Sequence, residues 1–107
     1  MNEFENANKV ELEAYGALRT VIDPELAVNI IDLGLIYEIS YSVTEGIHIL
    51  MTLSSKGCPM GDVIMDAMRT VLTERIPGVK VNIELTWVPA WTTDRVTANG
   101  KKELGLI

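Results

Sequence analysis

The feature that most constrains the fold is a period-two run near the end of the chain, VKVNIELTW at residues 79–87. Apolar and polar side chains alternate throughout it, which is the pattern of a strand with one buried face. Two earlier runs alternate in the same way. The apolar positions of the three runs are Tyr37, Ile39, Tyr41 and Val43; Ile47, Ile49, Met51 and Leu53; and Val79, Val81, Ile83, Leu85 and Trp87. A sheet with one apolar face needs a second layer to cover it.

Two segments with helical periodicity supply that second layer. The first covers roughly residues 2–22, and Asp23-Pro24 ends it because the residue before a proline avoids the helical region. The second follows SSKGCP, with Pro59 placed in its first turn, and Pro77-Gly78 stops it. Its apolar stripe consists of Ile64, Ala67, Met68, Val71, Leu72 and Ile76.

The connections complete the predicted topology. Residues 24–34 read as a loop, and Thr44-Glu45-Gly46 joins the first two strands into a hairpin. A short helix over Thr97 to Leu104 is expected to be broken at Asn99-Gly100. The order is α-β-β-α-β with an irregular tail. It predicts a two-layer α+β sandwich, in which helices cover one face of a three-stranded sheet. Which neighbour the third strand pairs with stays open.

Composition narrows the class of protein. The 107 residues suit a single domain over 1–107. A net charge of -6 argues against a nucleic-acid surface and against an anionic membrane surface. No apolar run is long enough to cross a bilayer, and the opening MNEFENANK is polar, so we expect a cytoplasmic protein.

The single cysteine, Cys58, lies in SSKGCPM between the second strand and the second helix. The positive end of a helix dipole favours an anion, so a thiol there is a better nucleophile and metal ligand. Gly57 leaves the approach to the sulfur uncovered, and Lys56 adds a positive charge. The alternative is a buried, structural cysteine, since free cysteines are among the most buried residues. The sequence leaves both interpretations open.

Cys58 cannot build a metal site alone, because structural zinc and most clusters need four protein ligands. The only histidine, His48, lies mid-strand on the polar side, a position typical of a solvated residue. Any centre would need carboxylates, a client protein or a second copy in a homodimer. A thiol enzyme would need a resolving cysteine or a well-placed base, and the chain offers neither.

Two further groups of residues could contribute to a site. Asp23, Glu25 and Asp32 lie in the acidic loop, where they either make ordinary turn and cap hydrogen bonds or form a carboxylate cluster facing the thiol. Trp87 is expected to close the core. Trp91 falls outside the alternating run and is therefore a candidate for contact with a partner.

Four motifs occur in a characteristic order: DPEL at 23–26, DLGLIY at 32–37, MTLSSKGCP at 51–59 and WVPAWTTDR at 87–95. Together they resemble the family of small iron–sulfur assembly and maturation proteins that share the MIP18-like domain. This family includes SufT, PaaD of the phenylacetate pathway and a eukaryotic cytosolic iron–sulfur targeting factor. The resemblance covers about residues 8–106. It implies an α+β fold and an accessory, not an enzyme, that helps deliver clusters or iron to client proteins.

The resemblance also implies roles for individual residues. The family cysteine maps onto Cys58, as a ligand of iron or of a transient iron–sulfur cluster, or as a client contact. The remaining matched positions are Asp23, Glu25 and Asp32, the hydroxyl residues Thr52 and Ser54, and Trp87, Pro89 and Trp91. The implied partners are client apoproteins and other assembly proteins. The alternatives are a scaffold module with a structural cysteine and a PaaD-like oxygenase-pathway accessory, although the chain lacks the additional C-terminal cysteines expected of PaaD proteins.

Overall fold

A computed structural model describes the backbone of residues 3–56 and 60–107, and the side chains from residue 9 onward within those ranges. Its elements follow the predicted order. They are α1 (Glu3–Leu18), β1 (Ile36–Ser42), β2 (Gly46–Met51), α2 (Gly61–Arg75), β3 (Val81–Leu85), a 3₁₀ turn (Thr93–Arg95) and α3 (Ala98–Glu103).

The sheet has the order β1-β2-β3, with β2 in the centre. β1 and β2 form the antiparallel hairpin expected from the turn between them, with Ile39 opposite Ile49. β3 pairs with β2 in parallel, with Ile83 beside Ile49. This settles the strand order that the sequence left open. The α+β class and the three-stranded sheet are confirmed.

The core lies between the sheet and the two long helices. Ile47, Ile49 and Met51 of β2 are fully buried, and α2 faces them with the stripe whose buried members are Ile64, Met68 and Leu72. Burial of each such side chain contributes about 1.5–3 kcal/mol. α1 packs against α2 and β1, and α2 packs against β3. The opposite sheet face stays open, and His48 there lies 3.6 Å from a carboxylate oxygen of Glu84.

The first helix ends earlier than predicted, at Leu18 and not beside Asp23. The amide of Val21 bonds to the carbonyl of Leu18 in a tighter turn, after which the chain folds back on itself. Ile22 then pairs with Asn29 in an isolated antiparallel bridge. Pairing of the backbone with the returning loop therefore replaces the last helical turn that the apolar spacing suggested.

The strand predictions need two corrections. Val43 lies in the hairpin turn with 68% of its surface exposed, because β1 ends at Ser42. Tyr37 does not share the core face with Ile39. The register shifts between Ile36 and Glu38, so Ile36 packs against the core in its place. Period-two reasoning cannot foresee such a bulge, since one extra residue moves every preceding side chain to the other face.

The helix ends also differ from expectation. α2 begins at Gly61 after an N-cap at Met60, and Asp62 lies in its first turn. Pro59, which the sequence predicted to lie in that turn, is outside the described residues. α3 runs through Asn99-Gly100 unbroken. The side-chain oxygen of Thr97 caps it by accepting the amide of Gly100 at 3.1 Å. No helix in the described part of the chain has the length and apolar character to cross a membrane.

Candidate functional site

Parallel pairing brings two segments together at one edge of the sheet. β2 and β3 run in the same direction, so the residues that follow them leave side by side. The amide of Thr86 donates to the carbonyl of Met51 at 2.8 Å, which continues the pairing past the strand ends. Beyond that bond the segments 53–56 and 87–91 line a pocket of about 200 Å³. The lining residues are Leu53, Ser54, Ser55, Lys56, Trp87, Ala90 and Trp91.

Both tryptophans of the pocket are half-buried against the core. The indole N–H of Trp91 donates to the carbonyl of Leu33 at 2.6 Å, which fixes the orientation of the ring. The Nζ atom of Lys56 lies 6.0 Å from the ring centroid of Trp87. The pocket therefore combines aromatic walls with one ammonium group at its edge. A role of Trp91 in partner contact stays a prediction, but its ring does face this pocket.

Two hydroxyl residues of the predicted site have different surroundings. Thr52 is fully buried, and its amide donates to the carbonyl of Leu35 at 2.9 Å. Ser54 is half-buried and lines the pocket. Of the two, Ser54 is therefore the residue that can touch a ligand without a movement of the backbone.

Asp23 makes a local turn in the acidic loop. It is 1% exposed, and its Oδ1 accepts the amides of Glu25 at 2.8 Å and Leu26 at 3.2 Å. This is the Asx-type turn that the ordinary interpretation of the loop predicted. The carboxylate thus shapes the DPEL turn, whereas Glu25 is an exposed residue.

Asp32 ties the acidic loop to the C-terminal segment. Its carboxylate accepts hydrogen bonds from Asn29 at 2.7 Å, Thr97 at 2.8 Å and Asn99 at 3.0 Å. The guanidinium of Arg19 lies 3.5 Å away. The hydrogen bond from Asn29 lowers the pKa of Asp32 most; those from Asn99 and Thr97 and the charge of Arg19 act in the same direction, and burial opposes them. The Asp32 carboxylate is therefore ionised, and its hydrogen bonds connect the acidic loop to the C-terminal segment.

Cys58 lies outside the described residues, together with Gly57 and Pro59. The predictions that its thiol is reactive and that it faces the acidic loop thus remain predictions. Within residues 3–56 and 60–107, no group of three or more histidine, aspartate or glutamate side chains is arranged to hold a metal ion. The described carboxylates do not form a metal site by themselves.

The contacts that hold the second wall of the pocket in place were not predicted from the sequence. The hydroxyl of Tyr37 donates to the carbonyl of Pro89 at 2.7 Å, and the guanidinium of Arg95 lies 4.4 Å from the Tyr37 ring centroid. Gly34 has a φ of 76°, and a Cβ atom there would collide with the backbone of Arg95. Periodicity carries no signal for these contacts, because they join segments more than fifty residues apart.

A larger concavity, about 550 Å³, lies on the open sheet face beside His48 and Asn82. None of the motif residues lines it. The smaller pocket is the better candidate site because it contains Ser54, Trp87 and Trp91, and because its Leu53–Lys56 wall leads directly in the sequence to Gly57 and Cys58.

Comparisons with known proteins identify relatives of the chain. The chain is 40% identical over 92 residues to the Fe-S protein maturation auxiliary factor YitW of Bacillus subtilis, covering 85% of this chain and 89% of that one. It is 41% identical over 87 residues to the Fe-S protein maturation auxiliary factor SufT of Staphylococcus aureus, covering 80% and 98%. A protein of Escherichia coli, described as a putative component of 1,2-phenylacetyl-CoA epoxidase, is 33% identical over 94 residues, covering 86% of this chain but 55% of that protein.

A solved structure shows the same fold. The crystal structure of a domain of unknown function from Bacillus anthracis superposes with a TM-score of 0.90 at 33% identity, covering 97% of this chain and 99% of that one. The family model described as iron-sulfur cluster assembly protein matches residues 11–85, which include the acidic loop, all three strands and α2. The chain therefore belongs to the iron–sulfur cluster assembly protein family.

Proposed function

We propose that this protein is an iron–sulfur maturation auxiliary factor that assists delivery of a cluster or of iron to client proteins through Cys58. One observation carries the proposal: the aromatic pocket of a chain in this family has a wall that is continuous in sequence with the single cysteine. A thiolate can hold one coordination position of an iron atom, while a neighbouring apolar pocket grips a partner protein. The role is that of an accessory and not of an enzyme.

One cysteine per chain sets the limits of this mechanism. Cys58 supplies one ligand, and the others come from the client, from another assembly protein or from a second copy of the chain. Asp23 and Asp32 hold the acidic loop in shape, and the exposed Glu25 is the carboxylate that we assign to the surroundings of the sulfur. The cluster or iron is thus cargo held between chains.

Anaerobic reconstitution with iron and sulfide tests the proposal directly. Wild type is compared with Cys58→Ser for cluster content and for transfer to a client apoenzyme whose activity reports the cluster. Ser40→Ala is a matched control, because it removes one polar atom from the exposed, open sheet face. We expect transfer to be lost in Cys58→Ser alone. Equal cluster content and equal transfer in all three proteins would remove Cys58 from the role.

A scaffold that binds other assembly proteins, with a structural cysteine, is the second candidate. It is favoured by the internal hydrogen bonds of Asp23 and Asp32, which occupy the carboxylates that a metal site would need. Iodoacetamide separates the two functions. A thiolate of the first kind reacts faster than free cysteine near neutral pH. Slow labelling that recovers only in denaturant indicates burial and supports the scaffold.

A PaaD-like role in an oxygenase pathway is the third candidate. The chain spans about 55% of the matched epoxidase component.

Light scattering with and without iron and sulfide tests for a homodimer that would pair two Cys58 thiolates. A shift to twice the mass only in the presence of both reagents supports a shared cluster, and a monomer throughout leaves the client or another assembly protein as the source of the remaining ligands.

A further inference from the structure

The pocket beside the Leu53–Lys56 segment is lined in part by apolar and aromatic side chains. The only N–H of the Trp91 side chain is already donated to the carbonyl of Leu33. Its ring therefore offers an apolar surface, and Leu53, Ala90 and the Trp87 ring add further apolar surface to the lining. At about 200 Å³, the pocket has room for one large side chain of a partner.

The edge of this pocket is polar and carries a positive charge. Lys56 is exposed, and it is the only charged residue among the lining residues. In the described part of the chain no carboxylate pairs with its ammonium group, although the protein as a whole carries a net charge of -6. The hydroxyls of Ser54 and Ser55 stand beside it as further donors.

We propose that this pocket binds a protein segment that carries an aromatic side chain directly beside a carboxylate. The ring would enter between Trp87 and Trp91, and the carboxylate would reach the Lys56 ammonium at the edge. Charge complementarity selects this partner over a basic segment. This inference rests on the proposed function, because it names the partner chemistry recognised by the segment that leads in the sequence to Cys58.

A synthetic pentapeptide with a central phenylalanine flanked by two aspartates is the probe. Two control peptides replace the phenylalanine by alanine or both aspartates by asparagine. Binding is followed by NMR, through the indole N–H signals of Trp87 and Trp91, without iron or sulfide. Replacement of the peptide's phenylalanine by alanine should weaken binding on the order of tenfold or more, because the buried ring is lost. Replacement of the peptide's two aspartates by asparagine should weaken binding about two- to fivefold, because their charges pair with Lys56 at an exposed site.

Three variants show whether the peptide occupies this pocket. Ala90→Leu fills the pocket from an exposed position and should abolish binding without unfolding the protein. Lys56→Gln should reproduce the loss seen with the asparagine peptide. Lys102→Gln makes the same charge change on the exposed surface of α3, outside the pocket, and should leave binding unchanged. Urea unfolding of each variant confirms that it is folded.

The peptide-binding experiments test this inference separately from the proposed function. Cys58→Ser should bind the peptide as wild type does, so failure of cluster transfer leaves this result intact. Equal affinity for all three peptides, or binding unaffected by Ala90→Leu, would overturn the inference. Indole shifts that follow protein concentration without peptide would identify a second copy as the occupant and would also overturn it.

Discussion

Replacement of Asp32 by alanine should reveal how much stability depends on one buried carboxylate. Asp32 is 5% exposed and accepts hydrogen bonds from three side chains. Asn29 is half-buried, so loss of its partner costs about 1.5–3 kcal/mol, the range for a hydrogen bond to a charged group. Thr97 and Asn99 are exposed and can turn to water, so each adds about 0.5–1 kcal/mol. The sum is about 2.5–5 kcal/mol.

The pH dependence of this loss has a definite sign. The pKa of Asp32 is lowered in the folded protein from its ordinary value of 3.8, chiefly by the hydrogen bond from Asn29. A lowered pKa means that the stabilisation is fully present above pH 3.8 and is lost as the pH falls through the folded value. Asp32→Asn keeps the shape without the charge, so its stability should lose this dependence.

Urea unfolding, followed by circular dichroism and tryptophan fluorescence at pH 7 and again near pH 3, measures both effects. Asp66→Ala is the matched control, because Asp66 is exposed on α2. It should leave the free energy of unfolding within about 0.5 kcal/mol of wild type or slightly raise it. An Asp32→Ala protein within about 1 kcal/mol of wild type would refute the reasoning. So would a difference that is unchanged near pH 3.

Two further substitutions test packing and surface charge by the same unfolding assay. Gly100→Ala should destabilise α3, because the added Cβ would lie 2.7 Å from a methyl carbon of Val96 and 2.9 Å from the carbonyl oxygen of Asp32. A gain of about 1 kcal/mol, as helix propensity alone predicts, would contradict this. Glu13→Gln should change stability by less than about 1 kcal/mol, because the pair with Arg75 is half-exposed, and a larger loss would show a buried contribution.

The apolar patterns were sufficient to predict the elements and their order. The alternation through residues 47–53 placed Ile47, Ile49 and Met51 in the core, because a strand that is buried on one face must repeat every second residue. The apolar stripe of α2 was predicted in the same way, from its helical spacing. The predictions failed at positions where backbone pairing replaces side-chain spacing, as at the end of α1 and at the bulge beside Tyr37.

The site was predicted only in part. The motif residues Ser54, Trp87 and Trp91 do line one pocket, whereas Thr52 is fully buried and is not among the lining residues. The sequence left Asp32 open between ordinary turn and cap hydrogen bonds and a carboxylate cluster facing the thiol. Its hydrogen bonds to Thr97 and Asn99 could not be foreseen, because they join positions more than sixty residues apart and leave no periodic trace.

By itself the sequence determined the α+β class, the family and the single sulfur at residue 58, because periodicity, motif order and residue counts are properties of the chain alone. Only the tertiary structure decided that β3 pairs with β2 and not with β1. That pairing sets Leu53–Lys56 beside the segment that carries Trp87 and Trp91. The physical reason is that strand order follows from packing between distant residues, and the pocket exists only where two strand ends leave the same edge of the sheet.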